Sequence, residues 1–100
     1  MPDWTFDVAK SIRMTENLQC QMLTQLSDFY TALHRNASKT EKTEMLANMV
    51  IALYLMAERL GISPEAVDRK AAANIRLGLL QEDNAPWREA LLSGLHRLEH

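Results

Sequence analysis

Three carboxylates and three carboxamides fall at helical spacing in the first half of the chain: Gln21, Gln25 and Asp28 on one side of a first helix, Glu41, Glu44 and Asn48 on one side of a second. Residues three and four apart share a helix face. Two such faces brought together would let Asp28, Glu41 and Glu44 converge on a hard divalent cation, which takes oxygen ligands. The same acids have a plainer reading as the capping residue Glu41 and the solvated or Lys42-paired Asp28 and Glu44. That reading is the expected one, because scattered acids are ordinary on amphipathic helices.

The remaining reactive side chains form no recognisable constellation. With His100 left out of any chemistry, His34 and His96 lack a partner at i+4 and read as surface or helix-end histidines. Cys20 has no catalytic signature around it and reads as a small buried apolar residue. Met22, Met45, Met49 and Met56 read as core filler, and Trp87 beside Pro86 as a buried lid or interface anchor. The sequence holds no Gly-rich phosphate loop, nucleophile elbow or zinc spacing.

The elements that must position these residues follow from apolar periodicity. Met22, Leu23, Leu26, Phe29, Tyr30 and Leu33 recur at steps of three and four, the period of an amphipathic helix starting as early as Thr5 and stopping near Arg35-Asn36. Ser38 stands three residues before Glu41, the capping-box spacing, so a second helix starts around Lys39. Its stripe of Leu46, Met49, Val50, Leu53, Ala57 and Leu60 is widened by Ile51, Ala52, Leu55 and Met56, which predicts a central helix covered on more than one side. Gly61 ends it, and Ser63-Pro64 caps a third helix carrying Val67, Ala71, Asn74 and Ile75 on one face. Residues 81–85 read as a polar linker, after which Pro86 opens a fourth helix bearing Trp87, Leu91, Leu92 and Leu95.

These elements make the chain all-α, an antiparallel helical bundle in a single domain over residues 1–97. Leu98-Glu99-His100 resembles an affinity-tag remnant, and His100 is left out of any chemistry. The 100 residues are 47% hydrophobic and 24% charged, with three Gly and three Pro, which excludes disordered and collagenous classes. A formal charge of −2 gives no electrostatic reason to expect nucleic acid or an anionic membrane as partner. The single cysteine cannot close an internal disulfide, no cationic-then-apolar leader is recognisable, and no apolar run reaches a membrane span, so a cytoplasmic protein is expected.

Read together, the second and third helices resemble the MazG-like nucleotide pyrophosphohydrolases of the all-α NTP pyrophosphatase superfamily. The likeness runs from about Leu18 to Asn74, through Gln21-Met22-Leu23-Thr24-Gln25 in place of a Glu-Glu-x-x-Glu motif and Glu44-Met45-Leu46-Ala47-Asn48 in place of Glu-Glu-x-x-Asp. It continues through the Leu60-Gly61-Ile62 turn to Arg69-Lys70-Ala71-Ala72-Ala73-Asn74. The resemblance implies Mg²⁺ held by acids at the positions of Met22, Gln25, Met45 and Asn48, none of which is a carboxylate here. A thioether contributes essentially nothing to Mg²⁺, and a carboxamide lacks the neutralising charge. Glu44, Lys70 and Asn74 are the family-like polar residues that remain.

The expectation is therefore a MazG-like homo-oligomer, dimer or tetramer, that has lost the Mg-dependent site, needs no cofactor, is not an enzyme and acts as a binding or structural protein. A second reading keeps the pyrophosphohydrolase activity, NTP to NMP and pyrophosphate, through a rebuilt Mg site of Asp28, Glu41 and Glu44 with Lys70 on phosphate. A third is a regulatory module that binds a nucleotide without hydrolysing it, through Lys70 and Asn74 with Trp4 or Trp87 stacked on the base. Acids converging in one concavity would favour the enzyme, and an apolar plug of Met22 and Met45 the structural role.

Overall fold

The computed structural model describes residues 3–100, with the side chains of residues 7–100. Trp4 falls outside the described side chains. The described residues form α1 (Asp3–His34), α2 (Lys39–Arg59), α3 (Pro64–Gly78), a 3-10 turn (Glu82–Trp87) and α4 (Arg88–Glu99), with no strand among them. The chain divides into two compact units, the first ending at Leu60 and the second running from Gly61 onwards.

In the first unit, α1 and α2 pack as a hairpin. Its turn is built locally. Asn36 takes the left-handed conformation with φ 56°, and the Ala37 N–H reaches back to Ala32 O at 2.9 Å, the six-to-one bond that closes a helix end. Ser38 then caps α2, its Oγ accepting from the Glu41 N–H at 3.1 Å. The other half of the expected capping box is absent, because the Glu41 carboxylate turns to Arg35 and forms an ion pair across the turn. At the open end, Arg59 Nε donates to Thr15 Oγ1 at 3.2 Å and Arg59 Nη2 to Ser11 O at 2.9 Å. Contacts of 35 with 41 and of 59 with 11 make the two helices antiparallel.

Among the described residues, one leucine and four alanines close the interior of this hairpin: Leu18, Ala32, Ala37, Ala52 and Ala57 are buried. The sequence expectation of a second helix covered on several sides is not met within one chain. Leu46, Val50, Ile51, Leu53 and Leu55 are exposed, since a two-helix hairpin can seal only the seam where the helices touch.

The second unit starts at Gly61, whose φ of 75° is the left-handed turn that stops α2. Ser63 Oγ accepts from the Ala66 N–H at 3.1 Å, with Pro64 at the first helical position. α4 packs on α3, and Arg76 pairs with Glu99. The expected polar linker over 81–85 is instead mostly a 3-10 turn, and Pro86 lies inside it rather than opening α4. Asn84 accounts for this, because its side-chain amide donates to Gly78 O at 3.0 Å and ties the turn to the end of α3. Trp87 is 64% exposed, contrary to the burial expected of it.

Candidate functional site

The polar positions of α1 and α2 come together on one side of the hairpin. Gln25, Asp28, Met45 and Asn48 surround a cavity of about 150 Å³. The antiparallel pairing produces this arrangement: Gln25 and Asp28 lie three residues apart on α1, Met45 and Asn48 three apart on α2, and each pair faces the other. Beyond Gln25 and Asn48 the depression continues over Gln21, Leu18, Ala52 and Leu55 with about 250 Å³ of space. Further along, Met14, Asn17, Glu58 and Arg59 join Leu18, Gln21 and Leu55 around another 400 Å³. The three depressions share lining residues and make one trough along the helix seam.

Of the four positions in the resemblance, Gln25, Met45 and Asn48 are brought together, and Met22 is not among the residues around their cavity. Met22 lines an apolar groove of about 260 Å³ with Leu23, Gln25, Leu26, Met49 and Leu53. The two methionines therefore form no common plug. Asp28 joins the cavity, whereas Glu41 and Glu44 are not in its lining, so the three acids of the rebuilt-site reading do not converge. Among the described residues no group of three or more His, Cys, Asp or Glu side chains is placed to hold a metal ion.

The chemistry of the cavity follows from its donor set. One carboxylate, two carboxamides and a thioether give a single negative charge and one soft ligand, whereas Mg²⁺ demands hard oxygen ligands in near-octahedral geometry. The residues present do not fit this ion. Gln25 Oε1 is buried without a hydrogen-bond partner, an acceptor whose desolvation is uncompensated within the chain.

The other candidates stand as follows. Glu41 is held below the usual carboxylate range by its hydrogen bond to Arg35, with the Arg35 charge acting in the same direction. Lys70 and Asn74 are exposed on α3 in the second unit. Cys20 is exposed rather than buried. His34 packs its ring against Tyr30 at 4.3 Å, as a helix-end histidine. Sequence reasoning did not single out Asn17 or Arg59 as lining, although Asn17 is one helical turn before Gln21 on the face already marked out by Gln21, Gln25 and Asp28.

Residues 8–87 match the model of the MazG-like family. The chain belongs to that family. No curated protein and no solved structure matches it significantly. The match spans most of α1, all of α2 and α3, and the 3-10 turn. No single helix among the described residues is long and apolar enough to cross a membrane.

Proposed function

We propose that this MazG-like protein is a non-hydrolysing binding protein that works as a homo-oligomer. The observation that carries the reading is the cavity of Gln25, Asp28, Met45 and Asn48, where a metal-dependent pyrophosphohydrolase would need several carboxylates and this chain supplies one. Without them there is nothing to hold a divalent ion against a triphosphate, and no second acid to activate a water.

Self-association is supported by the other side of the hairpin. Leu23, Leu26, Tyr30 and Leu33 on α1, and Leu46, Val50 and Leu53 on α2, are exposed at alternating steps of three and four, the pattern of helices that pack along a seam. Monomeric soluble proteins seldom leave contiguous apolar surface on this scale in water. A second hairpin laid on these stripes would give a four-helix arrangement with the broad apolar surface inside.

Calorimetric titration with Mg²⁺ and Mn²⁺, together with pyrophosphate release from a panel of canonical and modified nucleoside triphosphates, tests the functional half of the proposal. No heat at millimolar metal and no turnover are expected. Metal-dependent turnover lost in Asp28→Asn would establish an enzyme instead.

A further inference from the structure

We draw no further inference here: the strongest candidate, the apolar groove of Met22, Leu23, Leu26, Met49 and Leu53 on the α1–α2 hairpin, belongs to the self-association surface already proposed, and nothing in the structure shows what else covers it.

Discussion

Met22 and Met45 line separate depressions of the same hairpin, and Gln25 borders both. At 100° per residue, Gln25 lies between Gln21 and Met22 around α1, one turn further on. It therefore reaches the polar trough on one side and the apolar groove on the other. The two methionines have distinct places in this fold. Met45 and Asn48 bring no charge to the cavity, whereas Met22 adds to an apolar groove.

Restoring carboxylates should accordingly need three changes, not four. Gln25→Glu, Met45→Glu and Asn48→Asp would set four acids with Asp28 around one cavity, and like charges held together destabilise the apo protein. A divalent ion that binds only the folded form recovers stability as its concentration exceeds its dissociation constant, by about 2.7 kcal/mol at a hundredfold excess. The expected melting curves show a lower Tm for the triple variant in chelator and a rise with Mg²⁺ or Mn²⁺, with no rise in wild type. Adding Met22→Glu should give no further metal response. Identical curves for the triple variant with metal and with chelator would show that the four side chains cannot reach a common ion.

The helices themselves were legible because each boundary is specified by its own neighbours. Ser38 and Ser63 accept backbone N–H groups three residues on, at 3.1 Å each, as their spacing predicts. Asn36 and Gly61 take the two left-handed conformations. The 3-10 turn was not legible, because it depends on Asn84 reaching Gly78 across six residues. For the trough, periodicity within α1 correctly placed Gln21, Gln25 and Asp28 on one face. Which residues of α2 lie opposite is set by the length of the turn and by the register of two packed helices, and no repeat within either helix encodes that. Glu41 and Glu44 were grouped with Asn48 for this reason, yet only Asn48 and Met45 face the cavity.

The exposed stripes predict assembly. Sedimentation equilibrium at micromolar concentration should give at least twice the chain mass of 11.4 kDa. Leu53→Asp places a charge in the middle of the α2 stripe, where burial without a partner costs several kcal/mol. The variant should sediment as a monomer or unfold at a lower temperature. A well-behaved wild-type monomer would remove the homo-oligomer from the proposal.

Arg35 and Glu41 close the hairpin turn through an exposed ion pair, and the pH dependence has a definite sign. Glu41 is depressed in the folded state, first by its hydrogen bond to Arg35. Its contribution is therefore present above the unfolded value of about 4.3 and is lost as pH falls through the lower folded value. Glu41→Gln should melt slightly below wild type at pH 7, with the difference shrinking as pH falls below the unfolded value. High salt should shrink it as well, because the pair is exposed. A difference that grew on acidification would contradict the assigned pairing.

Arg59 holds the other end of the hairpin, donating to Thr15 Oγ1 at 3.2 Å and to Ser11 O at 2.9 Å, with Ser11 Oγ as a third acceptor. These bonds join α1 to the last turn of α2, just before the Gly61 turn. No buried side chain lies between residues 7 and 17 on α1, so packing gives this stretch little support and hydrogen bonding matters more than usual. An exposed bond of this kind contributes about 0.5 to 1.5 kcal/mol net. Arg59→Met keeps the aliphatic stem and removes the donors, and it should cost about 1 to 2 kcal/mol. Because the loss is local, amide exchange is the sensitive measurement: protection should fall between Ser11 and Leu18 and stay unchanged from Phe29 to Val50. Uniform loss of protection along both helices would mean that Arg59 supports the hairpin as a whole, and unchanged protection at Ser11 and Thr15 would mean that the clamp is absent in solution.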